Sequence, residues 1–294
     1  MQMETLRLSR PEDIPALREL WYLAFGDDGA YVDNFFKTYY RPERMLVLEA
    51  EGALRAMTAW FDTAFVVPGR GEYRAAYLYA VATHPSWRGR GLSGRLLAWA
   101  DGYFRSLGIP AVTTVPARPS LHSFFAGNGF GECFCHFEGT LDAGELPPAG
   151  GPVLRRVGPA EYGEARERLL SGLPHIACPE DALAYQAGCC ALGAGGLLAG
   201  DTADGPVCLC AEEAGEGLVV VKELLGGPAA CRAALADLGR AVPARRWTVR
   251  TPRPLDGLPI RQAPIRFGML KWLEPGMRAG WDWSATAHLG LAFD

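Results

Sequence analysis

Apolar residues over the first half of the chain recur at helical spacing in some stretches and at strand spacing in others. A short first strand is followed by a helix over residues 14–25 and a second helix over residues 31–40, because their apolar residues recur at steps of three and four. Three strands come next. The first two are joined by a turn at Glu51 and Gly52, and the third covers residues 74–83. The predicted order up to this point is β, α, α, β, β, β.

The next stretch contains a long amphipathic helix. Its apolar residues form one stripe, and Gly108 and Pro110 end it. The members of the stripe are Leu92, Leu96, Leu97, Ala100, Phe104 and Leu107. A strand over 111–115, a short helix over 120–127 and a strand over 130–141 complete the series. The following residues are rich in Gly and Pro, which is typical of a linker.

A second series begins after this linker and consists of a strand, a helix, three strands, a helix and a strand. Two further strands close it, the last of them the apolar stretch "HLGLAFD". We interpret the second series as a diverged copy of the first. The chain is therefore expected to belong to the α/β (α+β) class, with a first domain over 1–142, a linker over 143–152 and a degenerate second domain over 153–294.

The composition limits the classes of partner. In the 294 residues, 29 basic and 33 acidic side chains give a formal net charge of −4, which does not favour nucleic acid. The sequence shows no signal-peptide core and no uncharged apolar run of about 18 residues, so we expect a cytoplasmic protein without a membrane partner. The eight cysteines include no CxxC pair, and Cys133 and Cys135 point away from His136 on the predicted strand. We therefore expect no metal.

The stretch "THPSWRGRGLSGRLL", residues 83–97, joins the third of these strands to the long helix and carries three glycines and three arginines. It matches GxGxxG, but "HPSW" separates the glycines from the strand and no acidic residue follows at the distance that a dinucleotide site needs. A Walker loop is excluded because no Lys followed by Ser or Thr closes it. The pattern favours a diphosphate site at a helix N-terminus.

The stretch "AVATHPSWRGRGLSGRLL" resembles the acetyl-coenzyme A loop of the GNAT acyltransferases. Arg88 and Gly91 match the family pattern, and Ser93 stands where Gly or Ala is usual. "LHSFFAGNGF" resembles the family's helix that ends in a Gly and Phe pair, here Gly129 and Phe130. The resemblance implies the GNAT fold, a central mixed sheet flanked by helices, with acetyl-coenzyme A as the acyl donor.

The resemblance also assigns roles to residues. Val81, Ala82 and Thr83 are expected to present backbone groups to the pantetheine arm and the thioester carbonyl. The loop is expected to hold the diphosphate, and its members are Arg88, Gly89, Arg90, Gly91, Leu92, Ser93 and Gly94. The family often has a Tyr general acid four residues before the Gly and Phe pair, and here that residue is Phe125.

The catalytic candidates are Tyr79, His122 and Asp294, and each has a simpler interpretation. Tyr79 shares a strand face with Tyr77, and both could be packing aromatics. His122 suits acid or base work by its ordinary pKa, or could be a structural histidine. Asp294, as the last residue of the sequence, would carry two carboxylates. A GNAT branch that includes aminoglycoside acetyltransferases uses its C-terminal carboxylate as the base, and the resemblance implies the same role here. The simpler interpretation is a frayed chain end.

The first hypothesis for function is an acetyl-coenzyme A-dependent N-acetyltransferase acting on a small-molecule or peptide amine, with Asp62 or Glu223 attracting a cationic acceptor. The second is a non-catalytic acyl-coenzyme A-binding or sensing protein. Phe125, at the position of the usual Tyr acid, favours this hypothesis, and so does the second half of the chain, which has no loop of glycines and arginines. The third is an oxidoreductase on a Rossmann domain, which would bind NAD. The identity of the acceptor and the oligomeric state stay open.

Overall fold

The structure is a computed structural model that describes residues 4–27, 29–148, 150–256 and 260–293. The chain divides into two units, each of which is described by itself. The first consists of Met1–Phe65, Glu72–Glu132 and Gly268–Ser284, and the second of Val66–Gly71, Cys133–Phe267 and Ala285–Asp294. The units thus interleave along the chain, whereas the predicted domains are contiguous. The bounds 1–142 and 153–294 stay a prediction of where the two repeats lie.

The elements up to residue 127 follow the predicted order. They are β1 (Glu4–Leu8), α1 (Ile14–Phe25), α2 (Gly29–Thr38), β2 (Met45–Ala50), β3 (Ala53–Val67), β4 (Gly71–Thr83), α3 (Leu92–Ser106), β5 (Ala111–Thr114) and α4 (Pro119–Gly127). A single 3-10 turn, Pro85–Trp87, lies between β4 and α3.

The first element after residue 130 is the last strand of the first series, and the elements that follow repeat the earlier order only in part, because the described residues form no helix between the last two strands. The elements after residue 130 are β6 (Gly131–Asp142), β7 (Arg155–Arg156), α5 (Pro159–Leu170), β8 (His175–Ala177), α6 (Glu180–Cys190), β9 (Gly196–Thr202), β10 (Gly205–Glu213), β11 (Leu218–Gly226), α7 (Pro228–Ala241), β12 (Arg246–Thr251), β13 (Ala263–Trp272) and α8 (Pro275–Gly280). The short elements β8, α6 and α8 were not predicted.

The predicted strand at the end of the chain is not formed as such. Ala287 and His288 make isolated β-bridges, and the residues from 289 to 293 are buried without regular structure. Gly290 has φ of +72°, which breaks an extended chain, and the buried Lys222 donates a hydrogen bond to the Ala292 carbonyl oxygen at 2.8 Å. Side chains therefore hold this segment where a strand ladder was expected. Asp294 lies outside the described residues.

The sheet of the first unit is mixed and has helices on both faces, as predicted. Its strands run in the order β1, β2, β3, β4, β5 and β13; β4 and β5 are parallel, and β13 is antiparallel to β5. Leu78 points into a core shared with α3 and α4. Tyr79, on the opposite face of β4, contacts Trp21 of α1 and Phe35 of α2.

Each unit includes one strand from the other half of the sequence. In the first unit, residues Met269–Trp272 of β13 pair with β5. In the second unit, residues Phe137–Asp142 of β6 pair with β12. The last strand of the first repeat, β6, thus pairs with β12 of the second repeat, and the last strand of the second repeat, β13, pairs with β5 of the first. For this reason neither compact unit is a single continuous stretch of the sequence.

Candidate functional site

The end of β4 departs from the sheet. Its parallel pairing with β5 covers four residues, from Ala75 to Leu78, and β5 itself ends at Thr114, while β4 continues to Thr83. Ala80, just past the last pair, has φ of +50°, a conformation that costs a residue with a side chain about 1–2 kcal/mol. Strain of this kind is typical of functional sites. The final residues of β4, Val81, Ala82 and Thr83, extend beyond β5 and offer backbone groups there.

The loop after β4 brings backbone N–H groups toward this strand end. Gly89 and Gly91 have φ of +77° and +75°, values that other residues rarely adopt, and Gly91 caps the N-terminus of α3. A Cβ on Gly91 would lie 3.3 Å from Nη1 of Arg95. Ser93 Oγ lies 2.5 Å from Thr83 Oγ1, so the first turn of α3 is tied to the end of β4. The first N–H groups of a helix have no partner within it and favour an anion.

The arginines of the loop differ in their partners. Arg95 forms an ion pair with Glu4 at 2.9 Å and donates to the Arg90 carbonyl oxygen at 3.0 Å. Arg88 Nε donates to the Thr83 carbonyl oxygen at 3.3 Å, and within the described part of the chain neither Arg88 nor Arg90 forms an ion pair with a carboxylate. Two exposed cations beside a helix N-terminus and two positive-φ glycines suit a diphosphate. The residues therefore fit the diphosphate of coenzyme A.

Arg55 and Trp87 belong to the same region and were not singled out from the sequence. Trp87 is 8% exposed, and the guanidinium carbons of Arg55 and Arg90 lie 4.8 and 4.5 Å from its ring centroid. We call these three residues the Trp87 stack. Arg55 lies on β3, 32 positions before Trp87, and reaches it because the His84 N–H donates to the Arg55 carbonyl oxygen at 2.8 Å. Only the pairing of β3 with the end of β4 could have revealed this contact.

His122 forms a dyad with a carboxylate. Its Nδ1 lies 2.7 Å from Oε1 of Glu132, which follows α4 at the start of β6, and its side chain is 21% exposed. A carboxylate on Nδ1 favours the tautomer in which Nδ1 donates and Nε2 accepts, so Nε2 is the basic nitrogen. Glu132 was not predicted, because a strand-end glutamate has no sequence signature. The α4 helix begins at Pro119, shortly after β5 ends at Thr114, so His122 lies near the start of the helix that follows the carboxyl end of β5.

Tyr79 lies at the same end of the sheet on its other face. Its hydroxyl is 2.9 Å from that of Tyr31 on α2, and its ring contacts Phe61 at 5.5 Å. Tyr77 also contacts Phe61, at 6.1 Å, so the two tyrosines share one face as expected. Tyr79 is thus both a packing residue and one member of a hydroxyl pair.

Phe125 is a core residue. It is 4% exposed, packs with α3, and has Phe124 and Phe130 as ring neighbours at 5.1 and 5.5 Å. The position that often carries a Tyr acid in the resembling family is thus filled by an apolar ring.

The two acidic residues expected to attract an acceptor amine are already engaged. Asp62 forms an ion pair with Arg74 at 2.7 Å. Glu223 is fully buried in the second unit and accepts hydrogen bonds from Tyr162 and Arg166, each at 2.7 Å. The expectation for Glu223 is therefore wrong, because an interior carboxylate satisfied by interior donors offers no charge to a ligand.

The second unit repeats the divergence of the strands without the loop. The parallel pairing of β11 with β12 ends at Val221, and β11 continues to Gly226. Gly227 and Pro228 then begin α7 directly, so no arginine or run of positive-φ glycines stands where the first unit has its loop. Instead, Lys222 and Glu223 hold the buried C-terminal segment: Lys222 contacts Ala292, and His288 Nε2 lies 3.0 Å from Glu223 Oε2.

No group of three or more His, Cys, Asp or Glu side chains among the described residues is placed to hold a metal ion. None of the helices in that part of the chain is long and apolar enough to cross a membrane. The expectations of a metal-free, cytoplasmic protein stay predictions.

Comparison with known proteins finds a family model that matches part of the chain. Residues 5–131 match the family described as acetyltransferase (GNAT) domain. A similar solved structure is the GCN5-related N-acetyltransferase from Anabaena variabilis, with 14% sequence identity and a TM-score of 0.70 over 92% of this chain and 73% of that one. The GCN5-related N-acetyltransferase from Kribbella flavida has 20% identity and a TM-score of 0.68 over 92% of this chain and 71% of that one. A tandem GNAT protein from the clavulanic acid biosynthesis pathway has 13% identity and a TM-score of 0.56 over 93% of this chain and 99% of that one. At these identities the likeness shows the fold alone. No curated protein matches the chain.

Proposed function

Because residues 5–131 match the GNAT acetyltransferase domain, we propose that this chain is an acetyl-coenzyme A-dependent N-acetyltransferase that acts directly on the primary amine of a small cationic acceptor. One observation carries the proposal: β4 diverges from β5 just before the strained Ala80, and beside its end lies a loop with two positive-φ glycines and with Arg88 and Arg90, which have no ion-pair partner among the described residues. This combination suits a long thioester with a diphosphate, and not a dinucleotide that needs an acidic ribose ligand.

We assign the donor to the residues expected from the sequence. Val81, Ala82 and Thr83 would hold the pantetheine arm and the thioester carbonyl, and the loop from Arg88 to Gly94 would hold the diphosphate. When bound, acetyl-coenzyme A supplies an activated acetyl group. The chain's own residues must then deprotonate the acceptor, because an alkyl amine with a pKa near 10.4 is about 99.9% protonated at pH 7.

We assign the role of base to His122. Glu132 orients its ring so that Nε2 can accept a proton, directly or through one water. The Tyr79–Tyr31 hydroxyl pair on the other face is the second candidate, as a relay that passes the proton on. The side-chain carboxylate of Asp294, outside the described residues, remains a third proposed base.

The test is release of coenzyme A thiol in the presence of polyamines, aminoglycosides and peptides, with mass spectrometry of the amine. We expect one thiol for each acetylated amine. His122→Gln should lower kcat by about 10²–10⁴-fold, the usual contribution of a general base, while acetyl-coenzyme A affinity is kept. Matched variants at the other candidates are Tyr79→Phe and Asp294→Asn. If His122→Gln retains full kcat with a substrate that is turned over, the assignment of the base is wrong.

The alternative is a non-catalytic acyl-coenzyme A-binding or sensing protein. Phe125 favours it, because the usual acid is replaced by a core ring. Binding of acetyl-coenzyme A without thiol release for any amine of the panel would support this alternative and refute the enzymatic proposal.

A further inference from the structure

The Trp87 stack adds positive charge beyond what a diphosphate needs. A diphosphate diester carries about two negative charges, and the N-terminus of α3 together with Arg88 faces it in the proposed site. Arg55 and Arg90 add two guanidinium groups over the ring of Trp87. Arg55 comes from a different strand, so the loop pattern does not account for it.

The guanidinium groups of the stack are not neutralised within the described part of the chain. No carboxylate there forms an ion pair with Arg55 or Arg90, whereas Arg95, nearby on α3, is paired with Glu4. Arg55 Nε donates to the Ala50 carbonyl oxygen at 3.3 Å, and among the residues that the structure describes its two Nη groups have no hydrogen-bond acceptor, which leaves them for another one. Like charges placed beside one ring repel each other, so an anion between or beside them would be favourable.

The geometry also prepares both side chains for binding. An arginine in water loses rotamer freedom when it binds a ligand, and contact with an aromatic face restrains it in advance. Trp87 itself is held, because it is buried in the core beneath α3. The planar guanidinium group suits a phosphate monoester, which it can bind through two N–H groups at once.

We propose that the Trp87 stack binds the 3′-phosphate of coenzyme A, so that the chain takes 3′-phosphorylated acyl-coenzyme A in preference to acyl thioesters that lack this group. The inference rests on the proposed function, because it assumes that coenzyme A occupies the loop. It adds a selection rule for the donor: acyl-dephospho-coenzyme A and carrier-bound acyl-pantetheine are poor ligands.

The experiment is calorimetric titration of the full chain with coenzyme A and with dephospho-coenzyme A. One charge-assisted contact contributes about tenfold in affinity, so we expect coenzyme A to bind at least about tenfold more tightly. Arg55→Ala should remove most of this preference and leave dephospho-coenzyme A affinity nearly unchanged. Arg90→Ala should weaken the binding of both ligands, because Arg90 also belongs to the diphosphate loop, and should weaken coenzyme A by the larger factor. Arg10→Ala, which removes an exposed arginine at the far end of β1, is the matched control and should change neither affinity.

The outcomes separate the two proposals. Equal affinity of the unmodified chain for both ligands refutes the 3′-phosphate site while leaving the proposed function intact, and this comparison needs no variant. Loss of both affinities by the same factor in Arg55→Ala also refutes it, because the stack would then be structural. If neither ligand binds, the proposed function itself fails.

Discussion

Replacement of Glu223 by Gln tests the buried ion network of the second unit. Glu223 is fully buried; its Oε1 accepts from Tyr162 and from Arg166 Nε, and its Oε2 faces His288 Nε2 at 3.0 Å. Burial raises the pKa of Glu223, but the charges and hydrogen bonds of Arg166 and His288 outweigh it and lower that pKa to about 2. The carboxylate is therefore charged in the folded chain at all ordinary pH values.

The expected loss in the free energy of unfolding is about 3–5 kcal/mol. Gln keeps the shape but leaves the buried Arg166 guanidinium without its interior counter-charge, and breaking one side of a buried pair costs about this much. The amide would also place an N–H donor toward His288 Nε2. The C-terminal segment is affected as well, because Arg166 donates to the Leu289 carbonyl oxygen at 3.2 Å.

The assay is urea unfolding followed by far-UV circular dichroism, with Asp142→Asn as the control. Asp142 also pairs with an arginine, Arg246 at 2.6 Å, but both side chains are more than half exposed, so its loss should have a far smaller effect. A loss below about 1 kcal/mol for Glu223→Gln, or one equal to that of the control, would refute the reasoning that the network fastens this region.

Three further changes have expected outcomes. Although burial opposes ionisation of Glu223, its pKa is lowered to about 2. The pKa of Glu138 is also lowered to about 2, by His136, whose Nε2 lies 3.5 Å from its carboxylate, and by Arg250, whose Nε donates to it at 2.9 Å. The native state therefore binds fewer protons than the unfolded state, so urea midpoints should fall as the pH drops from about 4.5 toward 2, less steeply in Glu223→Gln. Gly91→Ala should lower the free energy of unfolding by about 1–2 kcal/mol, since the φ of Gly91 is +75°, and should weaken coenzyme A binding in calorimetry. The control Gly102→Ala, in the interior of α3, should raise the free energy of unfolding. Phe125→Tyr should cost about 1–3 kcal/mol in the same unfolding assay without raising kcat, because its hydroxyl would enter the core; a variant with higher kcat would contradict this.

The donor loop was predictable from the sequence because its chemistry is local. Two glycines that must adopt positive φ and two arginines lie within four consecutive positions, at a strand-to-helix joint that the apolar spacing also reveals. The mixed sheet and its flanking helices followed from the order of elements and the family resemblance. The structure confirms both the helix start at Leu92 and the strand end at Thr83.

The remaining features depend on contacts between distant positions. Arg55 meets Trp87 only after β3 pairs with β4, and Glu132 meets His122 only after α4 and β6 are placed. The end of the chain looked like a strand because its apolar residues are buried, yet burial there comes from buried charged side chains and the turn at Gly290. Apolar spacing reports burial, and it does not report which partner covers a segment.

The pairing of β13 with β5 has a consequence for how the protein is made. Thr114 of β5 leaves the ribosome about 155 residues before its partner Met269, which at 5–20 residues per second is a delay of roughly 8–30 s. During that time the nascent N-terminal half has an uncovered strand edge, and such edges recruit other chains. Biosynthesis of this protein therefore includes an interval in which its donor-binding half is nearly complete in sequence but still incomplete as a sheet.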